Sequence, residues 1–185
     1  MIIYIHGFNS SPASFKAKLL RERLVALGRA DGFAAPALPH GPAAAAALLA
    51  DLARTLPQAL LVGSSLGGYY ATWLAERFGL RAVLVNPAVR PYELLAGYVG
   101  RQKNLHTGEE YDFTAQHISE LRVLDVEAIT AERYLLLVET ADEVLDYRQA
   151  VGKYRGAQQL VIEGGDHGFS DFADYLDRVL AFAGM

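Results

Sequence analysis

The chain has 185 residues, no cysteine and a formal net charge of −4. That length suits a single domain, and without cysteine there is no disulfide framework, no thiolate nucleophile and no Cys-ligated zinc or iron–sulfur site. Seventeen basic against 21 acidic side chains leave no electrostatic footprint for nucleic acid, and a chain 52% hydrophobic and 21% charged can bury a core rather than stay disordered.

Ile2-Ile3-Tyr4-Ile5 is a β-branched run ending at Gly7, the pattern of a strand buried on both faces of a parallel sheet. No basic segment precedes it, so no secretory signal is expected. A polar loop follows, His6 to Pro12. Next comes a predicted helix with Ser14 as N-cap, an apolar face of Phe15, Leu19, Leu20, Leu24 and Leu27, and Gly28 as its stop. Phe33 to Leu38 is a second strand, weakened by Pro36, and Pro39-His40-Gly41-Pro42 is a loop. Ala43 to Leu56 is helical by propensity, and its small residues let it lie close to a sheet. Its apolar run, Ala43 to Ala50, falls far short of the roughly 20 residues that span a bilayer. A soluble, cytoplasmic protein with no membrane insertion is expected.

Ala59 to Val62 is the third strand, leading into Gly63-Ser64-Ser65-Leu66-Gly67-Gly68 and a helix from Tyr69 to Phe78. Ala82 to Val85 is the fourth strand, Tyr134 to Val138 the fifth and Gln159 to Ile162 the sixth. Phe172 to Phe182 forms a last amphipathic helix. Strands alternating with helices predict a three-layer α/β/α fold of about six mainly parallel strands. Ala88 to Glu132 holds no convincing strand and exceeds the dozen or so residues a crossover needs, so it is expected to be a short helical cap inserted after the fourth strand. The whole chain, 1–185, is expected to be one domain.

Gly63-x-Ser65-x-Gly67 between a strand and a helix is the nucleophile-elbow pattern. A sharp turn lifts the serine out of the backbone and crowds the positions two before and two after it, which favours glycine at both. The pentapeptide alone is a weak signal, and the strand–helix context raises it. A phosphate loop is disfavoured, because no G-x-x-x-x-G-K-[ST] is present and no lysine lies near the turn. Ser64, the rival serine, falls between elbow positions.

In this architecture the chain order is serine, acid, histidine. Of the histidines after Ser65, His167 sits in a Gly-rich loop beyond the sixth strand, where sites assemble in parallel sheets. His106 and His117 fall in the cap and are expected at the surface. His6 precedes Ser65 and ends a buried strand, which points to a structural role. Among Glu139, Asp142, Glu143 and Asp146, Asp142 lies far enough past the fifth strand to turn towards a histidine. Glu139 is still at the strand end, Glu143 suits a helix N-terminus, and Asp146 belongs to the following helix. Asp166, next to His167, is poorly placed to orient it. The oxyanion hole is expected from the backbone N–H groups of Leu66 and Phe8. Tyr92, Leu94, Leu95, Tyr98 and Val99 are candidates to line a pocket under the cap, while Tyr69 and Tyr70 are expected in the core.

The stretches Tyr4 to Pro12, Val62 to Leu74, Val85 to Pro91, Asp142 to Tyr147 and Ile162 to His167 resemble, in order and over nearly the whole chain, the bacterial YqiA/YcfP family of small α/β-hydrolase-fold esterases. The resemblance implies an esterase acting on carboxylic esters, with acyl-CoA thioesters as a possible class. It also implies a triad whose positions fall on Ser65, Asp142 and His167, and it calls for no cofactor or metal. One departure is Ala141, where the family tends to have glycine. Arg90, Arg101 and Lys103 are the best candidates to meet a CoA phosphate. A full hydrolase sheet has about eight strands, so six imply a reduced fold. A fold of this kind used mainly as a binding module is the remaining alternative.

Overall fold

The strands sort their side chains by alternation onto two faces, because successive Cβ atoms point to opposite sides of a sheet. Ile3, Ile5, Leu61, Leu84, Leu136 and Val138 join one apolar cluster, whereas Ile2, Tyr4, Leu60, Val62, Val83 and Val85 join the other. The structure, a computed structural model, describes residues 1–185. Six parallel strands form its sheet: β1 (Ile2–Ile5), β2 (Phe33–Ala34), β3 (Leu60–Ser64), β4 (Arg81–Val85), β7 (Tyr134–Glu139) and β8 (Gln158–Ile162). Their order across the sheet is β2-β1-β3-β4-β7-β8, and each neighbouring pair is parallel. Helices α2 (Pro42–Thr55), α3 (Leu66–Phe78) and α6 (Tyr147–Lys153) cover the first face, and α1 (Phe15–Ala26) and α7 (Leu176–Phe182) the second. This is the reduced α/β-hydrolase arrangement that the sequence predicts. No helix is long and apolar enough to cross a membrane.

Four local expectations need correction. The second strand keeps only Phe33–Ala34 of the predicted Phe33–Leu38, because Pro36 has no N–H to give a ladder. Helix α1 presents Ala17, Leu20 and Leu24 to the sheet, together with the half-apolar stem of Lys16, and leaves Phe15 and Leu27 exposed. Ser14 sits at its N-cap without capping it and instead donates to the Tyr4 hydroxyl. The last helix is divided, with a tight 3-10 turn over Phe172–Tyr175 leading into α7.

The fourth correction concerns the insertion. It does carry helices, α4 (Pro91–Leu94) and α5 (Ala115–Val123), but between them lies an antiparallel hairpin of β5 (Gly100–Lys103) and β6 (Glu110–Phe113). Its strands are charged and largely exposed, so no apolar alternation announces them. Cross-strand pairs of Arg101 with Glu110 (3.1 Å) and Asp112 (3.7 Å) accompany the ladder. Phe113 alone among its strand residues is fully buried.

Candidate active site

Ser65 lies between β3 and α3 with φ 55° and ψ −122°, a backbone conformation that L-residues adopt only under constraint. The constraint is visible in its hydrogen bonds. Its N–H donates to the Val85 carbonyl, and its own carbonyl accepts from Gly68 and Ala88. The flanking glycines are steric necessities. A Cβ at Gly63 would overlap the Gly67 carbonyl, and one at Gly67 would overlap the Ile5 carbonyl. Gly67→Ala is therefore expected to cost about 3 kcal/mol or more, since backbone rather than a mobile side chain must move. Urea unfolding monitored by circular dichroism checks this. A variant as stable as wild type would show that the turn is not built under this crowding.

The side chain of Ser65 meets His167, whose Nε2 is 3.0 Å from Oγ. On the other side of the ring, Nδ1 lies 2.8 and 3.0 Å from the two oxygens of Asp142. A carboxylate only accepts, so Nδ1 carries the proton and Nε2 is left free to accept from the serine hydroxyl. The Asp142 side chain is 2% exposed, and its Oδ1 also accepts from Val144 and Leu145 N–H at 2.8 Å each. Burial alone would push this carboxyl up. The His167 hydrogen bond and the Leu145 and Val144 N–H groups outweigh it and hold the group below the usual carboxylate range. It therefore stays ionised at neutral pH, and its contribution to stability is lost only as pH falls through that lowered value.

The competing acids have other occupations. Asp146 is the N-cap of α6, accepting from Arg148 N–H, rather than a residue within the helix. Glu143 accepts from the His167 N–H at 2.9 Å. The backbone of Asp166, rather than its carboxylate, fixes the histidine loop, its N–H donating to Glu139 and its carbonyl accepting from Asn86. His6 is buried, and burial lowers it below the ordinary imidazole range. Its Nδ1–H donates to the Gly7 carbonyl and its Nε2 accepts from Leu38 N–H. His117 closes a capping box with Thr114 at the start of α5, and His106 is exposed in the hairpin loop.

The loop after β1 is brought against Ser65: a Cβ built on Gly7 would stand 3.2 Å from the serine Cβ and 3.6 Å from its Oγ. Neither Phe8 N–H, in that loop, nor Leu66 N–H, at the first position of α3, donates to another protein group. Sequence reasoning does not find what holds this loop. Asn9, at φ 52°, accepts from the Tyr111 hydroxyl at 2.7 Å and donates to Gln102 at 3.2 Å. Asn104 donates to the Ser10 carbonyl at 2.9 Å, and the Phe8 ring packs edge-on against Phe113 and Tyr98. The hairpin thus clamps the loop that carries Phe8.

Two clefts are lined by residues next to the elbow, although Ser65 itself lines neither. One, of about 140 Å³, runs along Pro87–Pro91, Leu94, Val144 and Leu145. The other, of about 30 Å³, is bordered by Phe8, Leu66, Tyr70 and the stacked rings of His40 and Tyr111. Of the five residues expected to line a pocket under the cap, only Leu94 borders a cleft. Tyr92 and Leu95 are buried in the core, Tyr98 packs on Phe8 and Val99 is exposed. The wall is instead the chain leaving β4, because Asn86 at φ 40° turns Pro87 directly alongside Gly68 of the elbow. Tyr69 and Tyr70 are buried as expected.

The uncharacterised protein family UPF0227 matches residues 1–184 of the chain. A curated relative, UPF0227 protein YE1706 from Yersinia enterocolitica, is 28% identical over 189 residues, covering 98% of each chain. Among solved structures, mouse alpha/beta hydrolase domain-containing protein 10 is similar with a TM-score of 0.73 at 18% identity, over 97% of this chain and 89% of that one. Est1E from Butyrivibrio proteoclasticus gives a TM-score of 0.70 at 16% identity, over 100% and 88% of the respective chains.

Proposed function

The chain belongs to the UPF0227 family, of the YqiA/YcfP type, and from that premise we propose that it is a serine esterase hydrolysing carboxylic esters through an acyl-enzyme on Ser65. The observation that carries this is the unbroken hydrogen-bond chain from Asp142 through His167 to Ser65 at a sterically enforced elbow. His167 takes the hydroxyl proton as Oγ attacks the ester carbonyl, and Asp142 fixes the imidazole tautomer and stabilises the imidazolium. The free N–H groups of Phe8 and Leu66 receive the oxyanion, a contribution of about 3–4 kcal/mol per donor in comparable sites. The alcohol leaves with the proton from His167, and water repeats the sequence on the acyl-enzyme. These steps call on no metal or cofactor.

The larger cleft, at about 140 Å³, is well below the roughly 300–1,000 Å³ that accommodates a drug-sized ligand, which favours a short acyl or alcohol group. A thioester substrate is the second reading, and it rests on Arg90. That side chain stands at the cleft rim, held only by a 3.4 Å pair with exposed Glu93, and is free to meet a phosphate. Arg101 is engaged by Glu110 and Asp112 across the hairpin. Comparing kcat/KM on short-chain aryl esters, long-chain aryl esters and acyl-CoAs separates the readings. The expected order is short aryl ester first. Turnover of acyl-CoAs alone, lost in Arg90→Ala, would replace the ester by the thioester, and no turnover of either class would remove both.

A further inference from the structure

The loop that presents His167 is held by a group the proposed chemistry does not use. Glu139, the last residue of β7, is completely buried. Its Oε2 accepts from Asp166 N–H at 2.9 Å. Asn86 completes the grip: its Nδ2 donates to the Asp166 carbonyl at 3.0 Å, and its Oδ1 accepts from Glu139 N–H at 3.0 Å. Both backbone polar groups of Asp166, the residue before His167, are therefore fixed by side chains rooted at the ends of β4 and β7. Gly165 fits here at φ +76°, and any Cβ on it would overlap the Glu139 carboxylate.

The second oxygen, Oε1, has no partner, and neither has Oδ1 of Asp171, also buried. The Asp171 carboxyl group is close enough to push the Glu139 carboxyl up. Two adjacent carboxylates repel, and two buried, orphaned acceptor oxygens are both costly, whereas one proton between them satisfies both. The surrounding groups do not supply an alternative donor. Lys16, from α1, is the nearby cation but directs its Nζ to the Gly168 carbonyl. Asp166, from the histidine loop itself, adds negative charge, and the Tyr175 hydroxyl, after the loop, is a neutral donor that bonds neither orphaned oxygen.

We propose that Glu139 and Asp171 share one proton, and that this hydrogen-bonded pair is the positioning device that holds the His167 loop in register with Ser65. The proposal rests on the esterase reading for its effect on turnover, but not for the pair itself. Burial, followed by the Asp171 and Asp166 charges, raises the Glu139 carboxyl to about 7. The folded chain therefore holds the proton more tightly than the unfolded chain. The pair's contribution to stability is full below the ordinary carboxylate range and is lost as pH rises to about 7.

The test uses Glu139→Gln, Asp171→Asn and Glu139→Ala. Glutamine keeps an acceptor for Asp166 N–H and a permanent donor towards Asp171, so it imitates the protonated pair at every pH. In wild type, Tm falls as pH rises from 5 to 8, and the kcat profile on an aryl ester has an alkaline limb near 7. In Glu139→Gln and in Asp171→Asn that part of the Tm decline and that limb are absent. Glu139→Ala lowers kcat by about 10²-fold with KM little changed, as expected when a reacting group is misplaced by about an ångström, and Glu139→Gln restores it. If Glu139→Gln shifts Tm equally at all pH values and leaves the kcat profile unaltered, the shared proton is wrong. If wild type hydrolyses no ester while the Tm difference is present, the pair stands and the esterase reading fails.

Discussion

Replacing Ser65 by alanine lowers kcat on an activated ester by about 10⁶-fold, the loss seen when a triad nucleophile is removed from a serine hydrolase. The fold survives it. The Ser65 side chain makes no capping bond to α3, and the strained turn is held by backbone hydrogen bonds to Val85, Gly68 and Ala88 that alanine keeps. Alanine removes only the hydrogen bond to His167 Nε2, and that imidazole, still 20% exposed, can bond water instead. The stability change is accordingly small, about 1 kcal/mol or less. Steady-state kinetics beside near-ultraviolet circular dichroism and a thermal melt check both halves. Folded Ser65→Ala with turnover within tenfold of wild type would exclude the acyl-enzyme.

Asp142→Asn is nearly isosteric, yet it is expected to cost about 10⁴-fold in kcat. The reason lies in how the carboxylate is shared. Its Oδ1 accepts from Val144 and Leu145 N–H, so an asparagine must turn its carbonyl oxygen to them and its NH₂ towards the imidazole. His167 Nδ1 then becomes an acceptor and the ring proton moves to Nε2, where it faces the Ser65 hydroxyl that should donate. The imidazole stays in place with the wrong tautomer. Asp166→Asn is the control, because Asp166 supports the loop through its backbone and leaves the Asp142–His167 bond in place. A variant series in which Asp166→Asn is the more damaging change would reassign the acid.

The parts of the structure that sequence makes legible are those governed by local rules. β1 and the central residues of β3, β4 and β7 (Leu60–Val62, Ala82–Val85 and Tyr134–Val138) are continuous apolar runs, because a parallel strand covered on both faces has no polar side. The turn at Ser65 is legible because steric crowding demands Gly63 and Gly67 at fixed spacing. Asp142 and His167 follow from chain order and strand ends, and the fold brings His167 to Ser65 and Asp142 to His167. The hairpin is illegible for the opposite reason: Gly100–Lys103 and Glu110–Phe113 are stabilised by pairing and by their contacts with the Phe8 loop, not by a buried face. The supports of the site are also hidden. Tyr111 reaches Asn9 across 102 residues, Asn86 reaches Asp166 across 80, and Lys16 reaches Gly168 across 152. No local pattern distinguishes such an asparagine or lysine from one at the surface. In the sequence Glu139 is one of four candidate acids and is passed over because it is still at the strand end, while its complete burial, the signal that marks it, belongs to the folded chain.

The account stands on Ser65 being an activated nucleophile, and covalent capture with a fluorophosphonate probe measures that most directly. Intact-protein mass spectrometry of the folded chain should show a single adduct, peptide mapping should place it on Ser65, and both heat-denatured protein and Ser65→Ala should remain unlabelled. Folded wild-type protein that takes up no probe, or takes it up on Ser64, would contradict the account and leave the fold as a binding module or with a different centre.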